Sequence, residues 1–301
     1  MSTSWARLGE DLGARAQRDS LLAPYTSMRV GGPADLLVVC HTAAEVSEVV
    51  RLASAHDTPC RVLGGGCNVL VADAGVRGLV VINRAGRVRC GADGAVWAEC
   101  GASMAALAQE TVALGLAGLE WAAGLPGTVG GAIVGNAGAF DGDVAAVLSG
   151  ATMLGPDGEI VERTADWFDF RYRGSRLKGQ GDGDVLLTAA FTLRPGDAQM
   201  LAERVAEILH WRRTRHPSGA TMGSTFKNPP GGHAGKLIEQ VGLKGARVGG
   251  AMVSEQHGNF LLNTGQATAA DTLSLIRYVQ AEVERRTGVA LELEIELVGA
   301  W

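Results

Sequence analysis

Charge is missing altogether from the stretch Trp121–Phe140, which is long enough to cross a bilayer. A bilayer helix is nevertheless excluded, because the stretch holds six glycines and Pro126. Each interior glycine costs a helix about 1 kcal/mol and a proline about 3. A basic surface is missing as well: 27 Lys and Arg stand against 32 Asp and Glu, for a net charge of -5. No field is left to attract nucleic acid or anionic lipid. The five cysteines, Cys40, Cys60, Cys67, Cys90 and Cys100, contain no C-x-x-C pair, so neither a zinc spacing nor a disulfide framework is present and no metal is expected. Cys40, Cys60, Cys90 and Cys100 read as small buried hydrophobes on strands. The opening segment carries Arg7, Glu10, Asp11, Arg15, Arg18 and Asp19 and has no apolar signal core, so a cytoplasmic location is expected. Two nucleotide signatures are also absent: there is no G-x-x-x-x-G-K-[ST], and no strand leads into G-x-G-x-x-G, which argues against a P-loop NTPase and a Rossmann domain.

What remains is ordinary globular material: 301 residues, 47% apolar and 20% charged, enough for two domains each with a core. Leu36–Cys40 reads as a buried strand. Thr42-Ala-Ala-Glu45 is a capping box that opens a helix with Val46, Val49, Val50 and Ala53 on one face, and Cys60–Leu63 completes a parallel βαβ unit. Strands are predicted at 79–82, 96–100, 151–154, 160–163 and 185–193, with Gly155-Pro-Asp-Gly158 as a hairpin turn. A helix opened by Ser103 stops at Gly115. Pro195-Gly196-Asp197 marks a domain boundary, followed by a helix from Ala198 to about Arg215 that Pro217 ends. The last third reads as an α+β unit: a loop over 218–232, a helix from Ala234, strands near 249–253 and 260–262, a helix opened at Thr268 and closed before Gly288, and a terminal strand over 291–298. The expected organisation is a domain over 20–196, in subdomains 20–85 and 86–196, and a second over 197–301, with segment 290–298 returning to pack on the first.

Two glycine-rich loops stand out. Gly124, Gly127, Gly130 and Gly131 leave backbone amides unshielded, as a loop wrapping a phosphate or a flat ring requires. Leu63-Gly-Gly-Gly-Cys-Asn-Val-Leu-Val71 runs a strand straight into three glycines, more than a tight turn needs. A dinucleotide with its pyrophosphate between the loops fits both; spacing alone does not say which dinucleotide.

Four segments carry a specific resemblance: Thr26-Ser-Met-Arg-Val-Gly-Gly-Pro-Ala34, Leu63–Val71, Gly124-Leu-Pro-Gly-Thr-Val-Gly-Gly-Ala132 and Gly135-Asn-Ala-Gly-Ala-Phe140. The first two resemble the wider flavin fold of the vanillyl-alcohol-oxidase type; together with the others they resemble the UDP-N-acetylenolpyruvoylglucosamine reductase family, from about Tyr25 to near the end of the chain. The resemblance implies an α+β fold holding FAD noncovalently. Gly64, Gly65, Gly66, Cys67 and Asn68 would lie near the pyrophosphate, and Gly124, Pro126, Gly127, Thr128, Gly130 and Gly131 near the flavin, with Arg29, Asn136 and Gly138 as further contacts. Cys67 stands where the family has serine; a thiol is the weaker donor, while the backbone donors remain. The implied reaction passes hydride from NADPH to FAD and on to the enolpyruvyl β-carbon of a nucleotide sugar. An enol ether resists hydride, so the protein must stabilise an enolate spread onto the carboxylate and protonate the α-carbon.

By resemblance, Phe170-Arg-Tyr-Arg-Gly-Ser175 assigns Arg173 to that carboxylate, with Tyr172 beside the substrate. On the residues alone, Arg171, Arg173 and Arg176 read as surface charges pairing with Asp166 or Asp169. Gly223-Ser-Thr-Phe-Lys-Asn-Pro229 resembles the segment bearing the catalytic serine, here Ser224; alone it reads as a turn. Lys227 and Asn228 would meet substrate phosphate or sugar, and Lys236 would do so or remain a solvated helix residue. Leu291-Glu-Leu-Glu-Ile-Glu-Leu-Val298 alternates, placing Glu292, Glu294 and Glu296 on one polar face. Aligned on the family's last motif, Glu294 takes the place of its glutamate, although Leu293 and Glu296 stand where proline and arginine are common. Tyrosine is confined to Tyr25, Tyr172 and Tyr278, so the chain resembles the family's shorter form, without a tyrosine loop over the nucleotide. His257 and Asn259 are candidates to hold the UDP, a structural histidine being equally consistent. The partners expected are the nucleotide sugar and NADPH, with no nucleic acid and no membrane insertion, and a monomer is the expected state. An FAD-dependent oxidase of the same fold and a binding protein without turnover are the competing readings.

Overall fold

A computed structural model describes residues 4–179 and 183–301. The chain forms two compact units. The first holds the residues up to Asp19, Asp35–Gly65 and Gly78–Arg212; the second holds Ser20–Ala34, Gly66–Arg77 and Arg213–Trp301.

A four-stranded sheet runs in the order Gln17–Leu21, Pro33–Cys40, Val76–Asn83, Cys60–Leu63. The helix Ala43–Ala55 buries Val46, Val49 and Ala53 in a cluster with Leu36, Val38, Leu79 and Val81. Its cap is half of the expected box: Thr42 Oγ1 accepts the N–H of Glu45 at 3.1 Å, but the Glu45 carboxylate turns to the N–H of His41 at 2.7 Å. The two strands of the expected βαβ unit share the sheet without being neighbours. Val76–Asn83 lies between them and pairs in parallel with Cys60–Leu63. It is buried almost end to end, the pattern of a central strand.

A five-stranded antiparallel sheet follows, in the order Ile160–Thr164, Leu148–Leu154, Val185–Thr192, Ala95–Glu99, Val88–Cys90. Its first two strands join through the Gly155–Gly158 turn, where Gly158, at φ +81°, donates to Gly155 O at 2.9 Å. Met104, Leu107, Trp121, Ile133, Phe168 and Phe191 fill the core beside it. Helix Met104–Ala113 starts at Ser103, whose hydroxyl accepts from Ala106, and gives way to Gly115 at φ +69°. Helix Ala198–Arg215 has the expected bounds. Cys40 and Cys100 are buried, and burial pushes the Cys40 thiol up to about 11 and Cys100 upward as well, leaving both unreactive. Cys60 and Cys90 are only half-buried because each lies on an edge strand.

In the second unit the antiparallel order is Ala220–Ser224, Phe260–Asn263, Ala251–Val253, Arg247–Val248. Helix Ala269–Thr287 buries Leu275, Ile276, Val279 and Val283 in one cluster with Phe226, Ile238, Val253 and Leu261. Its N-terminus is satisfied twice over. Thr268 and Asp271 form a complete capping box, and the Asp73 carboxylate accepts from Ala269 and Ala270, both at 2.8 Å. Gly288 closes the helix at φ +73°. Two expectations change here. The loop from Ser218 begins as the strand Ala220–Ser224. The terminal segment is a strand only over Glu296–Val298, because it changes partner: Leu293 bridges Phe226 antiparallel, then Glu296–Val298 pairs in parallel with Val69–Val71. The alternation breaks accordingly, with Ile295 and Val298 buried and Leu297 39% exposed.

Candidate active site

Within the first unit the two glycine loops converge on one hydroxyl. Thr128 caps the short helix Val129–Val134, its Oγ1 accepting from Gly131 N at 3.4 Å. A Cβ at Gly64 would overlap that same oxygen, so the loops can lie edge to edge only because Gly64 has no side chain. Gly130 faces the other way, onto Cys100, to whose carbonyl its N–H donates at 2.9 Å. Gly131 is uncovered: a Cβ there would meet only Thr128 Oγ1, at 3.6 Å. Gly64, Thr128 and Gly131 thus form bare backbone bordered by one hydroxyl, a surface a flat or anionic group can approach. Gly124 and Gly127 turn the loop at φ +69° and +112° on either side of Leu125 and Pro126.

In the second unit Gly66, at φ +62°, lies against Tyr25 O and accepts from Ser27 N at 3.0 Å. This contact ties the Thr26–Ala34 segment, with Arg29 at φ +57°, to the end of the first glycine loop. Asn68 donates from Nδ2 to Glu294 O at 3.1 Å.

Arg173 occupies a tight turn in which Arg171 and Gly174 exchange backbone hydrogen bonds of 2.9 and 3.0 Å. Its φ is +54°, a region that costs a non-glycine residue about 1–3 kcal/mol and is found at sites where the side chain must be aimed. Nη1 donates to Gly138 O at 2.6 Å, and Lys178 Nζ donates to the Arg173 carbonyl at 3.0 Å. Asn136 holds the turn from below: its Nδ2 donates to Arg171 O and its Oδ1 accepts from Ala145 N. The side chain of Asn136 and the carbonyl of Gly138, both candidates for cofactor contact, are therefore engaged in holding the arginine turn. Tyr172 is 57% exposed and lies under the Arg173 guanidinium, 5.5 Å from ring centroid to Cζ. Of Asp166 and Asp169, the surface partners expected for these arginines, Asp169 pairs with Arg171 at 3.5 Å. Sequence reasoning missed Arg212, which sits near Arg173 in the basic last turn of its helix. Burial, and then the positive charge of Arg173, lower its pKa.

Ser224 and Glu294 are brought to one segment of the second unit. The register between strands Ala220–Ser224 and Phe260–Asn263 shifts between Thr221 and Ser224, with Gly223 at φ +77°, and such a bulge re-aims the residue that follows. Immediately after Ser224, Thr225 O accepts from Glu294 N at 2.9 Å. The Phe226–Leu293 bridge turns the amide and carbonyl of Phe226 away from Leu293, toward Asn259. There Oδ1 accepts from Phe226 N at 2.9 Å and Nδ2 donates to Phe226 O at 2.8 Å, both buried. One side-chain amide thus replaces a peptide unit of the neighbouring strand. Asn259, expected as a UDP contact, spends its side chain on this clamp.

The remaining candidates are dispersed through the same unit. Lys227 pairs with Glu292 at 3.2 Å, an exposed pair of little energetic weight. Asn228 Oδ1 accepts from Ala234 N at the start of helix Ala234–Gln240, which carries the exposed Lys236. His257 packs on Phe260, and its Nδ1 accepts from Asn259 N at 3.2 Å. Burial lowers its pKa, which favours neutral imidazole at physiological pH. Among the described residues no helix is long and apolar enough to cross a membrane, and no His, Cys, Asp and Glu group is arranged to hold a metal.

Residues 34–164 match the model of an FAD binding domain, and residues 215–298 match that of the UDP-N-acetylenolpyruvoylglucosamine reductase, C-terminal domain. UDP-N-acetylenolpyruvoylglucosamine reductase 2 of Symbiobacterium thermophilum is 44% identical over 95% of this chain and 92% of its own length; the reductase of Rubrobacter xylanophilus is 44% identical over 94% and 95%. The solved UDP-N-acetylenolpyruvylglucosamine reductase of Thermus caldophilus superposes with a TM-score of 0.81 at 37% identity, covering 94% of this chain and 99% of that one. A Phl p 4 variant, a glucose oxidase, shares the fold alone, at a TM-score of 0.51 and 15% identity over 65% of this chain and 45% of that one. The fold is accordingly α+β of the vanillyl-alcohol-oxidase type, with an FAD-binding domain. Matched from end to end by relatives of one name, the chain belongs to the UDP-N-acetylenolpyruvoylglucosamine reductase family.

Proposed function

We propose that the protein is the NADPH-dependent oxidoreductase of peptidoglycan synthesis that reduces UDP-N-acetylglucosamine enolpyruvate to UDP-N-acetylmuramate in the cytoplasm, as a monomer. In this reading residues 20–196 serve FAD and residues 197–301 serve the nucleotide sugar. Gly64 to Asn68 and Gly124 to Gly131 hold FAD; the bare backbone around Gly64, Thr128 and Gly131 supports that fit. Bound there, FAD supplies hydride transfer between NADPH and the enolpyruvyl β-carbon. Arg173 binds the substrate carboxylate and draws onto it the charge that develops as the β-carbon gains hydride. Ser224 gives its hydroxyl proton to the α-carbon, so one hydride and one proton add across the double bond. A serine is a weak acid, and the transfer requires the carbanionic carbon directly above Oγ and a route for reprotonation. Glu294 assists by stabilising the enolate or helping protonation. Tyr172, Lys227, Asn228, Lys236 and His257 contact the nucleotide sugar; for His257 the contact is that of a neutral ring.

The observation that carries this reading is the joint placement of Ser224 and Glu294 by one segment, through the Gly223 bulge and the Thr225–Glu294 hydrogen bond. FAD-loaded protein is expected to oxidise NADPH continuously, beyond the one equivalent that reduces its flavin, when the enolpyruvyl nucleotide is present. Ser224→Ala should lower turnover by about 10²–10⁴-fold while NADPH still bleaches the flavin. Unchanged turnover in that variant removes Ser224 as the acid. Oxygen consumption driven by a hydroxy acid or sugar would instead mark an oxidase.

A further inference from the structure

We propose that Arg212 is a second residue that binds the enolpyruvyl carboxylate, closing on it from the side opposite Arg173. The proposal rests on the reductase reading. Arg212 lies in the last turns of helix Ala198–Arg215, with its Nε buried and without a hydrogen-bond partner. Its guanidinium sits over the ring of Phe140, 5.5 Å from Cζ to the centroid, and Phe140 is held edge-on by Trp211 at 5.2 Å. Gly124 makes room for the stem, since a Cβ there would come within 3.3 Å of Arg212 Cδ and 2.9 Å of Leu209 Cδ2. The charge that acts on Arg212 is that of another cation, Arg173, and among the described residues no carboxylate pairs with Arg212.

Two half-buried guanidinium groups, one against an aromatic face and one aimed by a left-handed turn, repel each other. An anion that joins them relieves that repulsion and is held from two sides. A carboxylate suits it better than any neutral group, having two oxygens with about four lone-pair positions, enough for two arginine forks. Arg173 already spends an N–H group of Nη1 on the Gly138 carbonyl, and Arg212 adds donors for the second oxygen. Two cations also withdraw more charge from the double bond than one, which is what hydride addition at the β-carbon requires.

The test is calorimetric titration of oxidised, FAD-loaded protein with two nucleotides: the enolpyruvyl substrate, and UDP-N-acetylglucosamine, which lacks the carboxylate. Arg212→Gln should weaken the first about 10- to 100-fold and leave the second within about twofold. Arg212→Lys, which keeps the charge but not the fork, should lose about fivefold or more for the first alone, and this arm decides the matter if the glutamine variant does not fold. Equal weakening of both nucleotides, or no weakening in Arg212→Lys, overturns the proposal while leaving the reductase reading intact. Wild-type protein that does not bind the enolpyruvyl nucleotide refutes both.

Discussion

Replacing Asn259 by alanine tests whether one side chain holds the Ser224 and Glu294 segments together. Its amide makes two buried hydrogen bonds, accepting from Phe226 N and donating to Phe226 O, and Phe226 itself is 1% exposed. The alanine variant strands both Phe226 groups, because the Leu293 bridge on the other side is already committed through Thr225, Lys227, Glu292 and Glu294. Each stranded buried group costs about 1–3 kcal/mol, for about 2–6 kcal/mol in all. For a chain of this size that lowers the unfolding midpoint by on the order of 10 °C, read by circular dichroism on wild type and variant at equal FAD saturation. Asn259→Asp keeps the acceptor but sets a carboxylate against the Phe226 carbonyl, and it should also melt below wild type. Because Ser224 and Glu294 are both tethered through Thr225 and Phe226, kcat should fall at temperatures well below the midpoint. An alanine variant that melts within 2 °C of wild type refutes the clamp.

Thr225 is fully buried and its Oγ1 has no hydrogen-bond partner, so Thr225→Val should be neutral or stabilise by about 1 kcal/mol; a urea midpoint displaced downward by more than that amount contradicts the assignment. Arg173→Gly removes the left-handed penalty together with the Gly138 hydrogen bond, so stability should change by less than about 1 kcal/mol while turnover falls by at least about 100-fold; a folding defect without a catalytic one would refute the aimed-turn argument. Burial alone would raise the pKa of Glu99, but the Arg87 guanidinium and the N–H groups of Ala43 and Arg87 outweigh it and hold the carboxyl below its ordinary 4.5. A lowered folded pKa contributes stability above the unfolded value, lost as pH falls through the folded one. Denaturant titrations across that acid interval should therefore show a shallower loss for Glu99→Gln than for wild type.

Much of the secondary structure follows from local signals. Ser103 and Gly115, Thr268 and Gly288, and the Gly155–Gly158 turn bound their elements as expected, because a cap or a turn is satisfied by residues within a few positions of itself. The glycine motifs likewise announced bare backbone. They did not reveal that Gly64 and Gly131 meet at Thr128, nor that Gly130 turns inward to Cys100, since both depend on loops folded together from distant parts of the chain. The terminal segment shows where periodicity ends. Leu291–Leu297 alternates without a flaw, but one strand cannot keep a single face when its first half pairs with Phe226 and its second with Val69–Val71.

From its sequence alone the chain determines an α+β protein with two glycine loops, the elements around them and the motifs that mark its family, because caps, turns and hydrophobic periods are short-range properties of residues already adjacent. Only the tertiary structure decided that Asn259 would stand in for a strand, that Asn136 would hold the turn of Arg173, and that Arg212 would come within reach of the Arg173 charge. Those assignments depend on which buried donors and charges are left without a local partner, and that is settled by packing across long sequence separations.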